Sequence, residues 1–162
     1  MGIYLKYGQV KGDVDEAGHP NWIEILSINW ALNRTGLFVQ GGKPSDAPSF
    51  TSLQLTKSQD VASISLIMQA CEGTLSDVQI DFCRTGSLGN NVVFYGIKMT
   101  GAVITSFSQG VSQLDSGGSV RPTDQLTLDF TKISFAGNQM TSDGGSTSPV
   151  SYGWDVRGRK SF

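Results

Sequence analysis

His19, Cys71, Cys83 and a set of carboxylates are the residues in this 162-residue chain that could do chemistry. His19 stands before Pro20 in a stretch that also holds Asp13, Asp15 and Glu16. A histidine there could serve as a general base. No Ser or Cys near it in sequence sits in an elbow motif, so a hydrogen-bonded turn histidine is expected instead. The three acids lack the D-x-[DN]-x-[DN]-G pattern and the distal Glu of a calcium loop, which leaves a solvated loop. Cys71 and Cys83 match no zinc spacing, and one histidine cannot complete a conventional Cys/His site. They are expected to be buried free thiols, with a disulfide between them left open.

Other patterns fall short in the same way. Gly41-Gly42-Lys43-Pro44 lacks the early glycine and the Ser or Thr of a phosphate loop, and Pro44 removes a backbone donor. Asp77, Asp81, Asp124 and Asp129 could supply paired carboxylates for sugar hydrolysis. Strands expose such residues routinely, however, and nothing marks two of them as partners. Arg157, Arg159 and Lys160 read as a solvated basic tail. Trp22, Trp30 and Trp154 fall in core phase, which makes them packing residues before sugar platforms. The expectation is a protein without enzymatic activity, metal or cofactor.

Bulk properties narrow the class further. Twelve basic against fourteen acidic residues give a net charge of −2, which does not suit a nucleic-acid binder. Twenty glycines and a charged fraction of 16% suit an all-β protein with many turns. No apolar run reaches the length of a membrane span, and no apolar stretch follows a basic N-terminus. The chain is therefore expected in the cytoplasm first, with any export independent of a cleaved signal. At this length one domain spanning residues 1–162 is the simplest organisation.

The dominant period is two. Val78, Ile80 and Phe82 alternate with polar partners; Val93, Tyr95, Ile97 and Met99 do so too, in a phase extended to Val103 and Phe107. Val150, Tyr152, Trp154 and Val156 give the cleanest alternation. From Trp22 to Leu32 the even positions read as the core face, with Glu24 an exception. Leu126, Leu128 and Phe130 share a face that Ile133 and Phe135 rejoin only if a β-bulge sits near Thr131-Lys132. One helix is predicted over about 59–72. Val61, Ile64, Met68 and Cys71 form its packing stripe, Ser58 or Asp60 its start and Gly73 its left-handed end. Segments 35–49, 106–123 and 138–148 break the strand pattern, the first with Leu37-Phe38-Val39 among glycines and prolines. Seven to nine strands with one lateral helix and a projecting loop at about 35–49 imply a compact β-barrel or two packed antiparallel sheets.

The two ends of the chain carry a more specific signal. Ile3-Tyr4-Leu5-Lys6-Tyr7-Gly8, Lys11-Gly12-Asp13-Val14, Gly18-His19 and Trp22-Ile23-Glu24-Ile25-Leu26-Ser27 open it. Asp124-Gln125-Leu126-Thr127-Leu128-Asp129-Phe130-Thr131-Lys132-Ile133 and Tyr152-Gly153-Trp154-Asp155-Val156 close it. This series resembles the Hcp family, the tube-forming proteins of bacterial type VI secretion. Gln9, where many relatives have an acidic residue, and the basic tail after Val156 depart from the pattern. The resemblance implies a β-barrel with a lateral helix that closes into a homohexameric ring. Rings would stack into an inner tube, with spike and sheath components as partners and small effectors carried and chaperoned in the channel. No nucleic acid and no membrane insertion are implied. A phage-like tail-tube protein shares the architecture, and a monomeric ligand-binding β-barrel is the alternative from another class. On this reading Leu37, Phe38 and Val39 would meet an adjacent ring or subunit, while the Ser-, Gly- and Gln-rich stretch 106–119, with Ser108 and Ser112, would line the channel.

Overall fold

A computed structural model describes residues 2–34, 36, 47–86, 89, 91–111, 120–138 and 149–162. Leu37, Phe38, Val39 and Ser112 lie outside these residues. The described chain forms two packed antiparallel sheets, not a closed barrel. Its strands are β1 (Gly2–Tyr7), β2 (Ile23–Ile25), β3 (Ser27–Asn29), β4 (Leu32–Asn33), β5 (Ser49–Phe50) and β6 (Leu53–Ser58), followed by helix α1 (Ala62–Glu72). After it come β7 (Ser76–Thr85), β8 (Asn91–Gly110), β9 (Thr123–Asp129), β10 (Lys132–Gly137), β11 (Val150–Asp155) and β12 (Lys160–Ser161). The first sheet runs β12-β11-β10-β8-β7-β1-β2, the second runs β3-β6-β9-β8, and β4 pairs only with β5.

Strand β8 belongs to both sheets, and glycine makes that possible. Gly101 takes a left-handed φ of 59°, with Thr131 so close that an added Cβ would lie 2.7 Å from its Oγ1. Before Gly101 the strand pairs with β10, and from Val103 onward it pairs with β9. The kink also reverses the buried face. Ile97 and Met99 are buried before it, Ala102 and Ile104 after it. The odd phase therefore does not continue to Val103 as the alternation suggested. A second register shift between Ile104 and Ser106 turns Phe107 back towards the core.

Other phase expectations fail for similar local reasons. Ile23 and Ile25 are buried while Leu26 is exposed, because the chain breaks step between β2 and β3. Glu24 is then no exception, since it stands on the solvent side of β2. No bulge occupies residues 131–132. Asp129 ends β9, Lys132 starts β10, and the pair between them turns the corner from one sheet to the other. On β11 only Trp154 packs on the core, and Val150 and Tyr152 are exposed where the sheet outruns it. Residues 106–110 extend β8 and do not form a loop.

The helix is where it was expected, but it is rotated. Gly73 ends it with φ 63°, and Asp60 starts it by accepting the Ala62 amide at 2.9 Å. Ala62, Ser63 and Leu66 are buried, whereas Val61, Ile64, Met68 and Cys71 are exposed. Both faces have helical spacing, and hydrophobicity alone favours the wrong one. The true inner face begins with Ala and Ser, because Ser63 is needed by a buried ion pair. Lys57 and Asp124 are fully buried. The Lys57 ammonium donates to Asp60 at 2.7 Å, to Ser63 at 3.0 Å and to Asp124 at 3.1 Å. Asp124 also accepts from the Ser63 hydroxyl and, at 2.7 Å, from Gln109. This cluster joins α1, β6, β8 and β9.

Candidate functional site

Around the only histidine the residue types of a nucleophilic site do assemble. His19 is buried, with Nδ1 3.2 Å from Glu16 and Nε2 3.0 Å from Asp81. Its ring stacks on Tyr4 at 4.8 Å and meets Trp22 edge-on at 4.6 Å. Cys83 Sγ lies 3.9 Å from Nε2. Burial first, then the Glu16 and Asp81 charges, push the Cys83 thiol up to about 11. A thiol held neutral in a closed pocket is a poor nucleophile. His19 serves as the expected turn histidine and clasps the segment after β1 to strand β7. Asp81, expected on a solvated strand face, is buried as its partner, as Asp124 is with Lys57. Among the described residues no group of three His, Cys, Asp or Glu side chains could hold a metal.

Cys71 and Cys83 are both free, but only Cys83 is buried, so the expectation of two buried thiols holds for one. A thiol reagent under native conditions should label one cysteine rapidly, and the second only on unfolding. Equal labelling rates at the two positions would contradict this placement.

The outward face of the second sheet has a different character. On β3, β6, β9 and β8 the side chains alternate between the core and this face. The register aligns its polar residues into two rows across four strands. One row runs Ser27, Thr56, Gln125, Ser108, and the other runs Asn29, Gln54, Thr127, Ser106. None of the eight is charged. They line a shallow concavity of ≈ 360 Å³. The two rows carry no acid or base and offer hydrogen-bond donors and acceptors throughout. Ser108, predicted for a channel wall, is an exposed member of it. Ser106 lay in the same stretch as Ser108; the sequence reading missed the six on β3, β6 and β9, since only the strand register shows that they share a surface.

Among the described residues both edges of this sheet are open. Strand β3 pairs only with β6, and beyond Ala102 strand β8 pairs only with β9. Unpaired edges invite pairing with another chain.

Two packed antiparallel sheets sharing one long kinked strand, with a single described helix at their side, define the class of this protein as a mostly β fold. Residues 4–136 match the family described as type VI secretion system effector, Hcp, and the chain belongs to that family. It is 29% identical over 159 residues to protein hcp1 of Pseudomonas aeruginosa, covering 96% of this chain and 94% of that one. The fold matches a solved type six secretion system protein with a TM-score of 0.86 at 21% identity, covering 99% of both chains. It also matches Hcp1 from Salmonella typhimurium with a TM-score of 0.76 at 21% identity, over 99% and 98% of the two chains. The chain is thus a protein of the type VI secretion system, from a family of secreted tube-forming proteins.

Proposed function

We propose that this chain closes into a homohexameric ring in which the polar face of the second sheet forms the wall of a central channel. The observation that carries this reading is the pair of uncharged rows on a sheet with two open edges. Edge β3 of one subunit could pair with edge β8 of the next, a heterologous contact that closes when the rotation suits. Both open edges would then be covered.

The wall chemistry fits transport. An uncharged polar surface offers cargo weak, exchangeable hydrogen bonds, many through water, and no strong field to arrest it. Small effector proteins are the proposed cargo, with Ser108 and Ser112 on the channel side. Stacked rings would form the inner tube, associated with spike and sheath components and secreted with its load. The segment holding Leu37, Phe38 and Val39 is proposed to reach the adjacent ring.

The test begins with solution mass by light scattering and negative-stain imaging. A mass near six subunits with annular particles is expected, and a strict monomer at every concentration would overturn the ring. Ser108→Arg with Gln125→Arg should keep the ring and weaken cargo binding about tenfold or more. Unchanged cargo binding would remove this face from the channel. Phe38→Asp should leave single rings intact but abolish stacking.

A further inference from the structure

Charge is spread unevenly across the first sheet, whose hydrogen-bonded order begins at β12 and ends at β2. At the β12 edge the turn after β11 exposes Arg157 and Arg159, and Lys160 follows on β12 itself. The acid of this turn, Asp155, is occupied. It accepts the Gly158 amide at 2.6 Å and lies 3.8 Å from the Lys132 ammonium. Arg157, Arg159 and Lys160 form no ion pair among the described residues. Arg159 also holds a left-handed φ of 52°, a conformation that suits glycine and strains an arginine. Gly158 stands one position earlier, so the turn keeps a cation where its backbone asks for a glycine. Strain of this kind points to a use for the side chain.

The β2 edge is acidic. Glu24 is exposed on β2, and Asp13 and Asp15 are exposed in the segment beside it. The Gly12 and Val14 amides hold that segment in place by donating to Asn21 and Trp22. Asp13, Glu24 and Asp60 line one hollow of ≈ 120 Å³, with Arg121 the cation in its wall. Asp60 is bound to Lys57, while Asp13, Asp15 and Glu24 form no ion pair among the described residues, with Arg121 or with Lys11. Seven strands at about 4.8 Å spacing put the two edges roughly 29 Å apart along the sheet. That is well beyond the screening length of about 8 Å at physiological ionic strength. Neither edge can neutralise the other within one chain.

We propose that the basic edge of one subunit docks against the acidic edge of the next copy around the ring, a contact that rests on the ring reading above and names the charged surfaces that join it. A second copy is the occupant because every copy carries both edges. A basic edge meeting an acidic one is a heterologous contact, the kind that closes a ring. Like edges brought together would repel, so charge also fixes the head-to-tail direction of packing. The hollow has room for one cationic head, and Arg159 at the tip of the turn is assigned to it.

The test reverses each edge in the full chain. The first variant carries Arg157→Glu, Arg159→Glu and Lys160→Glu, and the second carries Asp13→Lys, Asp15→Lys and Glu24→Lys. Alone, each should need about a hundredfold more subunit to assemble, because like charges meet at every contact. Mixed in equal amounts, the two should form rings of three and three, read by native mass spectrometry, because strict alternation closes in a ring of six. All six reversals in one chain should restore homogeneous rings. For the wild type, which needs no variant to fold, the subunit concentration at half-assembly should rise about tenfold between about 0.1 and 1 M salt. Arg159→Gly should raise the urea midpoint of the subunit and still weaken assembly severalfold. Wild-type rings indifferent to salt, or either variant alone assembling like the wild type, would overturn the contact and leave the ring standing. Folded variants that do not rescue each other would do the same. So would variants that each form complete rings but no longer stack, since the charges would then act between rings. A wild type monomeric at every salt concentration would overturn the ring reading itself, and this contact with it.

Discussion

Replacing Lys57 with Met is expected to destabilise the fold by about 3–5 kcal/mol, because it strands a buried carboxylate. Lys57 and Asp124 have no solvent exposure, so water cannot replace the lost ammonium without opening the core. Burial alone would raise the Asp124 pKa. Hydrogen bonds from Ser63, Gln109 and Lys57, with the Lys57 charge, override it and hold the group below its ordinary value. A depressed folded pKa fixes the sign of the pH dependence. The contribution is fully present above the ordinary carboxylate range, about 3.9, and is lost as pH falls through the folded pKa. Urea titrations across that window should show stability falling on acidification in the wild type. In Lys57→Met the acid-side loss should shrink, since protonating Asp124 would then relieve the stranded charge. A double change, Lys57→Met with Asp124→Leu, should recover much of the stability, as apolar replacements of buried ion pairs often do. A single variant as stable as the wild type would mean that the carboxylate finds another partner.

The consequence reaches the proposed channel wall. Lys57 lies on β6, Asp124 on β9 and Gln109 on β8, three of the four strands that present the uncharged rows. The same cluster holds Ser63 and Asp60 at the start of α1. Charge is thus concentrated on the core side of the sheet, and the two rows opposite it carry none, Asp129 at the end of β9 being the exposed acid beyond them. The polar face can stay neutral because the ion pair that fixes strand register is on the core side.

How much of this was legible from sequence depends on what each signal measures. The alternation in Val78–Ile80 and Ile97–Met99 reports a half-buried strand directly, and those residues are core. The same alternation cannot foresee a phase change that backbone geometry imposes. Gly101 and the break between β2 and β3 are of that kind, so Ala102, Ile104, Ile23 and Ile25 escaped. The helix was visible from its capping glycine and period. Its buried face was not, because Ser63 is recruited by an ion pair whose members are separated by 67 positions. Ser108 could be suspected from its Ser- and Gln-rich surroundings. Gln54, Thr127 and Asn29 join it only through strand register, which a single sequence does not encode locally. The end motifs carried the family because they coincide with packing demands, as Gly12 beside Trp22 illustrates.

Gly12→Ala tests that coincidence, with an expected loss of about 3 kcal/mol. A Cβ at residue 12 would lie 2.2 Å from the Trp22 carbonyl oxygen and 2.8 Å from Ile23 Cγ1. The first contact is with backbone, so no rotamer change relieves it. The chain is pinned there, since the Gly12 amide donates to Asn21 at 2.8 Å and the Val14 amide to Trp22 at 3.1 Å. Moving Trp22 would unseat His19, which meets its ring edge-on, and would shift Ile23 out of the core. The strain would pass along β2 to Leu26, whose amide donates to Thr56 at 2.8 Å, and so to the β3 edge of the polar sheet. The variant should therefore lose the proposed ring assembly at a lower urea concentration than it loses its helix signal. Gly110→Ala is the matched control, because a Cβ there meets nothing within 4 Å and should change stability by less than about 0.5 kcal/mol. If the two alanine variants unfold together, the Gly12 contact is relieved by a small loop shift, and the motif owes its glycine to something other than packing.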